Sequence, residues 1–415
     1  MQRNKIRLIL LLFISLSPIV VEAQNDLSKP EAIFLVKQLQ NDSTATLSIS
    51  LSGGYSINTN NVSSKQLSNF MYANAVSEGD KQNVLSALSS SNLIGYGGDQ
   101  GITARYKQSQ KRYFIAGLYN KNMISVDFKK NLVELALNGN KMFAGAEVVL
   151  GPFNYTNLMY QQVYLGVEQK IGRGFLEIGF SGLNGMKLNQ LNLKRDNLYT
   201  EMDGAYIDFD TDVDFSYSNK QSNFNGYGFS TSWSYKYLGE KNNLVVNVSD
   251  FGFIKWQNLS TYNTNQKYHF EGIGITDIFN FSESAFSNVN LSNVQSVLGI
   301  DPKQKDNIVA TPTTLSIDYL HSIGKLGLGA GAKHILFINY IPKVYVRTSY
   351  ALNNFWWGAL TVSHGGFGGF DYEVALGGKI IDQTFFSINM HYAEWLIVPN
   401  QTAGQGIDVV VSRFF

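Results

Sequence analysis

The chain of 415 residues is 44% hydrophobic and 13% aromatic, and its 33 basic and 32 acidic side chains leave a formal charge of +1. That balance gives no electrostatic footprint for nucleic acid, and the abundance of Tyr and Phe does not suit a disordered chain. Without cysteine there is no disulfide framework, thiolate metal site, catalytic cysteine or acylated lipobox, and past the N-terminus no run of about 18 apolar residues suggests a spanning helix.

The N-terminus reads as an export address. Arg3, Lys5 and Arg7 precede the apolar stretch from Leu8 to Leu16, and Val21-Glu22-Ala23 offers a small-residue cleavage site. Residues 1–23 are therefore expected to be a signal peptide, and 24–415 a single mature domain beginning at Gln24. From Ala45 to Leu51 apolar residues alternate, the mark of a first strand. Between Ser63 and Ser91 the period changes, and Val76, Leu85 and Leu88 among charged neighbours suit one or two short helices. A helix cannot face lipid halfway through a barrel wall unless it is enclosed. Residues 63–91 are thus predicted to plug the lumen, with a helix outside the membrane as the alternative.

Alternation resumes over Gln100–Tyr106 and Tyr113–Tyr119, which read as a hairpin. Phe128 to Ala136 looks helical and stops at Asn138-Gly139-Asn140. Val163–Val167 and Phe175–Gly182 are strands joined at Gly172-Arg173-Gly174. In Tyr206–Tyr217 every second residue over one stretch is acidic, so that Asp208, Asp210, Asp212 and Asp214 form a ladder on one face. Neighbours on one face of a strand lie about 6.6 to 7 Å apart, so these anions must be solvated, paired with bases or loaded with cations. A solvated extracellular hairpin or lumen wall is the plain reading; a calcium site and a cation-attracting lumen are the alternatives.

The stretch from Asn225 to Tyr237 separates its faces without exception. Tyr227, Phe229, Thr231, Trp233, Tyr235 and Tyr237 fall on one side and Gly226, Gly228, Ser230, Ser232, Ser234 and Lys236 on the other. An aromatic face opposed to a small, polar one suits a strand with lipid outside and a wet lumen inside. Tyr227, Phe229, Trp233, Tyr235 and Tyr237 are accordingly expected to face the membrane. Trp256 reads as an interfacial anchor, and Thr276–Ile300 as a helical or irregular excursion.

The C-terminal third alternates most cleanly. Val344, Val346, Thr348 and Tyr350 oppose Lys343, Tyr345 and Arg347; Phe370, Tyr372, Val374 and Leu376 oppose Asp371 and Glu373; Phe386, Ile388, Met390 and Tyr392 oppose Ser387, Asn389 and His391. A base at the bilayer midplane costs on the order of 2 to 4 kcal/mol, so Lys343, Arg347, Asp371, Glu373 and His391 are predicted to point into the lumen. The glycine run Gly365–Gly369 reads as a tight turn or a kinked strand end. At the end, Ile407, Val409, Val411 and Phe415 share a face, similar to the signal by which the barrel-assembly machinery takes up its clients; Arg413 departs from the apolar pattern but lies where its stem can snorkel.

The layout resembles a group of uncharacterised outer-membrane β-barrels typical of Bacteroidetes, distantly similar to the FadL-type transporters of hydrophobic compounds. The leader, Asn138-Gly139-Asn140 with Gly145, the stretch Ser249-Asp250-Phe251-Gly252 to Trp256, Phe270-Glu271-Gly272 and the aromatic C-terminus carry the resemblance. It implies an outer-membrane location, about fourteen strands and an N-terminal luminal hatch. No FadL ligand residue matches one by one.

Catalytic motifs are lacking: there is no Gly-x-Ser-x-Gly elbow, His-Glu-x-x-His or Walker-type loop, and the five histidines are scattered. The expectation is an all-β, closed antiparallel transmembrane barrel with short luminal or loop helices, without enzymatic activity, cofactor or metal. Its partners would be outer-membrane lipid, the assembly machinery and a small hydrophobic ligand bound in, or passed through, a partly plugged lumen. The alternative function is a non-transporting barrel acting as scaffold, shuttle or subunit of a secretion or surface-assembly complex.

Overall fold

Period-2 patterning puts every second side chain on one face of a strand, and strands built this way close on themselves here. The structure, a computed structural model, describes residues 45–63, 65–66, 77–219, 221–271, 303–353, 355–381, 383–398 and 402–415. The signal peptide, the segment up to residue 44 and the expected excursion at 276–300 lie outside the described residues. In chain order come β1 (Leu47–Thr59), α1 (Glu78–Ala87), β2 (Asn92–Ser109), β3 (Arg112–Phe128), α2 (Lys130–Asn138), β4 (Glu147–Val149), β5 (Phe153–Ile171), β6 (Gly174–Thr200), β7 (Tyr206–Tyr217), β8 (Gly226–Leu238) and β9 (Asn242–Glu271). They are followed by β10 (Lys303–Ala310), β11 (Thr314–Ile323), β12 (Leu326–Ile335), β13 (Ile341–Ala351), β14 (Trp356–Gly366), β15 (Phe370–Ile381), β16 (Thr384–His391) and β17 (Gly404–Phe414).

All pairings between these strands are antiparallel, and β1 pairs with both β2 and β17, so the sheet closes. Three wall positions are each shared by two collinear strands. β4 and β5 both pair with β6, β7 and β8 both stand between β6 and β9, and β10 and β11 both run along β9. Seventeen strands therefore make a fourteen-stranded barrel. The last residue joins the seam: the Phe415 N–H donates to Leu47 O, and its carbonyl accepts from Thr46 N, both at 2.8 Å.

Register sorts the residues into an outside and an inside. Leu51 pairs with Ile102, Ile102 with Leu118 and Leu118 with Val163, and all four are exposed on the outer surface. Tyr227, Phe229, Trp233 and Tyr235 stand on the same outward pleat and are exposed, with Tyr237 half-buried. Such an apolar, aromatic outer band is what lipid requires. One rim joins its strands by turns of two to four residues, whereas the other carries the longer connections, the asymmetry of a periplasmic and an extracellular side. β6 and β9 run for 27 and 30 residues, while β11 to β17 span only 8 to 12. About 9 to 11 tilted residues cross a bilayer, so the upper parts of β6, β7 and β9 stand above it as a flap.

The two helices pack against that tall side. Val84, Leu85 and Leu88 of α1 and its C-cap meet Val126, Phe128, Phe153 and Tyr155, with Leu132, Val133 and Leu137 of α2 packed beside them. Val126 pairs with Ile94 and Tyr155, and it lies on the outward pleat, an even number of residues above Leu118. α1, the described core of the segment expected to be a plug, thus covers the outer face of the strands above the lipid band. Of the two places open to this helix, the lumen or outside the membrane, it takes the second, because strands taller than the bilayer give it an outer wall to pack on.

Candidate functional site

The inward pleat holds its charges in separate clusters whose members come from several strands. A buried charge survives only if paired and hydrogen-bonded. Lys343 Nζ lies 2.9 Å from Asp371 Oδ2 and 2.7 Å from Glu373 Oε1, and His391 bridges Glu373 (3.3 Å) and Asp408 (2.7 Å). Arg347 belongs elsewhere: it meets Asp318 at 3.1 Å and donates to Thr361, while the Tyr345 hydroxyl donates to Asp318. Four of the five lumen-facing candidates are therefore brought together and the fifth is not. Among the described residues, Asp371, Glu373 and His391 are the one trio of potential metal ligands that converges, within 4.8 Å. The Lys343 ammonium already stands between the carboxylates of Asp371 and Glu373.

The acidic ladder lies on the inward pleat of the flap and is paired strand by strand. Asp208 meets His269, Asp210 meets Lys267 at 3.4 Å, and Asp214 meets Lys194 and accepts from Asn263. Of the three ways to relieve repulsion, pairing is the one the fold displays for Asp208, Asp210 and Asp214.

Two further clusters carried no local signal. Glu168 is buried between Arg105 and Lys236, and Lys236 also contacts Glu177 at 2.7 Å; Tyr164 donates to Glu177. Midway up the wall, Asp250 is held by Lys121 and by Gln162 Nε2. Each partner sits on a different strand, and Lys121 and Asp250 are 129 residues apart.

Against this polar background the inward pleat carries apolar clusters, small ones at Val245 and Leu320 and at Phe385 and Phe414, and one larger. Leu158, Leu183, Leu188, Ile254, Trp256 and Leu259 form a buried cluster with Tyr160. Trp256 is 0% exposed, which corrects its expected place at the membrane interface. The reason is a change of parity: Asp250 takes a φ of 60°, and the ladder between β8 and β9 shifts register there. Beyond the shift Ile254 and Trp256 pair with Gly228 and Gly226, on the inward pleat. A Cβ at Gly185 would stand 2.8 Å from Trp256 Cη2, so a glycine there makes room for the benzene edge of the indole beside β6.

The cluster backs onto the break between β7 and β8. Ser218 N still donates to Leu188 O and Asn225 N to Gly185 O, but residues 219 and 221–224 leave the ladder between them. The Asn225 amide spans the gap, donating toward Met186 O (2.6 Å), Ser222 O (2.7 Å) and Asn219 O (3.0 Å).

Short loops cover the extracellular mouth. Phe367 rests on Gly95, whose Cβ would lie 1.9 Å from the ring, and Tyr340 meets Phe367 edge-on at 5.1 Å. Asn339 reaches across from the opposite wall to donate to Asp127 at 3.3 Å. Tyr392, expected on the lipid face, is buried: a left-handed φ of 55° after His391 turns it inward, and its N–H donates to Asp371. The glycine run does form the turn that precedes this lid, with positive φ at Gly365 and Gly366.

Residues 39–386 match the model of a family described as a family of unknown function (DUF5723). No curated protein matches the chain. Among solved structures, a TodX deltaS2S3 mutant monoaromatic hydrocarbon channel shares 10% identity over 94% of each chain, with a TM-score of 0.50. The Pseudomonas putida toluene transporter TodX shares 9% over 91% of this chain and 92% of its own, with a TM-score of 0.46. A Pseudomonas aeruginosa FadL homologue shares 9% over 89% and 90%, at 0.41. At such identity the likeness speaks for the fold alone.

Proposed function

Since the chain belongs to the DUF5723 family, we propose that it is an outer-membrane barrel that binds a small hydrophobic molecule in its lumen and lets it pass. The observation that carries this reading is the buried apolar cluster of Leu158, Leu188, Ile254, Trp256 and Leu259 on a pleat that also carries buried ion clusters; this reading takes the cluster as the wall of a ligand chamber. A wall needs no such patch on its inner face to satisfy lipid, and a water-filled pore is served better by polar side chains. Concave apolar surface with few polar groups is what small hydrophobic ligands bind. In this reading the lid of Phe367 and Tyr340 keeps water and ions out. The leader at 1–23 and the terminal Phe415 fit export and delivery to the barrel-assembly machinery.

The test is saturable binding of an apolar fluorescent probe, N-phenyl-1-naphthylamine, to the refolded protein. Wild type is expected to bind it above the level of protein-free micelles. Ile254→Asn and Leu188→Asn each place an amide in the chamber and are expected to weaken binding at least about tenfold, the equivalent of 1.4 kcal/mol. Heat-modifiable migration on gels verifies that both variants have closed into barrels. Binding that does not saturate, or that both substitutions leave unchanged, would remove the chamber as the ligand site.

A second reading is favoured by the buried ion clusters and the lid, which together suit a sealed barrel acting as scaffold, shuttle or subunit of a secretion or surface-assembly complex. Absence of probe binding together with a protein that co-purifies in defined stoichiometry would decide for it.

A further inference from the structure

Within the apolar cluster one polar atom is left without a partner. The Trp256 indole is 0% exposed, and its Nε1–H has no hydrogen-bond partner among the described residues. Burying a donor without an acceptor forfeits a hydrogen bond that water would have supplied. A phenylalanine would fill much the same space without that penalty, so the nitrogen requires an explanation in terms of what it meets.

The geometry narrows the answer. Cη2 and Cζ3, on the benzene edge of the indole, lie against the Gly185 position, so the pyrrole edge with Nε1 is turned away from β6. Of the side chains in its cluster, Leu158, Leu183, Leu188, Ile254 and Leu259 have no acceptor to offer, and the Tyr160 hydroxyl, which has one, is not bonded to it. An indole N–H only donates, so a ligand that completes it must carry an acceptor. The cluster contains no cation to balance an anion, and in this wall Lys121 and Asp250 are bonded to each other. A carboxylate or phosphate would be buried there uncompensated.

We propose that the chamber takes a neutral, largely apolar molecule bearing one hydrogen-bond-accepting oxygen, such as a ketone, ether or ester, and that the Trp256 N–H engages that oxygen. The proposal rests on the reading of the chamber as a ligand site and adds the chemical class. Trp256 is then a specificity residue: the apolar walls take up the skeleton, and the N–H distinguishes an oxygenated molecule from the bare hydrocarbon.

Two compounds of nearly the same shape separate these contributions. Acetophenone and α-methylstyrene differ by a carbonyl oxygen in place of a methylene. Their affinities are read by displacement of N-phenyl-1-naphthylamine, after correction for the partition of each into protein-free micelles. Wild type is expected to prefer acetophenone by about three- to tenfold, the range of one net hydrogen bond. Trp256→Phe is expected to lose that preference, so that the two compounds bind the variant within about twofold of each other. The infrared carbonyl stretch of acetophenone bound to wild type gives a readout that needs no variant: it should move to lower wavenumber than in micelles. Equal affinities in wild type with an unshifted carbonyl would overturn the proposal and leave the N–H to a buried water. A preference that survives in folded Trp256→Phe would overturn it too, in favour of another donor. If neither compound displaces the probe, the chamber itself is not a ligand site, and both readings fall together.

Discussion

Glu168→Ala is expected to cost the folded barrel about 3 to 5 kcal/mol, the range found when one partner of a buried ion cluster is removed. Glu168 is 1% exposed and joins Arg105 on β2 to Lys236 on β8, while Lys236 also meets Glu177. These two bases and two acids balance. Removing Glu168 leaves a net positive charge in a place that water does not reach, and the strands that the cluster ties together lose their common partner. Urea unfolding of protein folded into lipid vesicles measures the loss. Lys236→Met in the same background should return part of it, because the uncompensated charge is then gone and the double-mutant cycle shows coupling between contacting residues. Equal stability of wild type and Glu168→Ala would mean that the cluster is hydrated and contributes little.

The second large effect concerns the mouth. Phe367→Ala combined with Tyr340→Ala is expected to turn a barrel silent in planar bilayers into one with discrete unitary conductance steps. The two rings meet edge-on, and Phe367 presses onto Gly95 of the facing strand; with both removed, no aromatic spans the gap between those strands. Asn339→Ala alone cuts the hydrogen bond to Asp127 and should give brief openings, since it loosens the loop and leaves both rings in place. If the double variant stays silent, the barrier to ions lies lower, at the charged clusters. If the intact protein conducts steadily, the mouth is not closed by these loops.

The aromatic and polar faces of Asn225–Tyr237 could be read directly from the sequence because this strand lies wholly within the lipid band and keeps its parity against β6. The same holds for the sector from β13 to β17, where Lys343, Asp371, Glu373 and His391 could be placed on one face before their partners were known. Parity fails where a register shifts. The irregularities at Met159/Tyr160, Leu193/Arg195 and Thr231/Trp233 each exchange inside for outside on one of the two paired strands, and in β9 that exchange turns Trp256 inward. Height was equally hidden. Phe175–Gly182 reads as a strand, but the continuation to Thr200 exists because β7 and β4 pair with it, and those partners come from elsewhere in the chain. Without that height, α1 had no outer wall to pack on. The lid was invisible for a different reason: residues 336–340 and 367–369 are ordinary short connections, and only closure of the barrel sets Asn339 opposite Asp127.

An apolar molecule is proposed to reside inside this barrel, at the buried cluster behind the β7–β8 break. Crystals grown with bromobenzene test it most directly, since bromine is located by its own anomalous scattering. The expected result is a bromine peak inside the wall, among Leu158, Leu188, Ile254 and Trp256. Peaks confined to the outer belt, beside Tyr227, Phe229 and Trp233, would contradict the account and leave the lumen without its proposed guest.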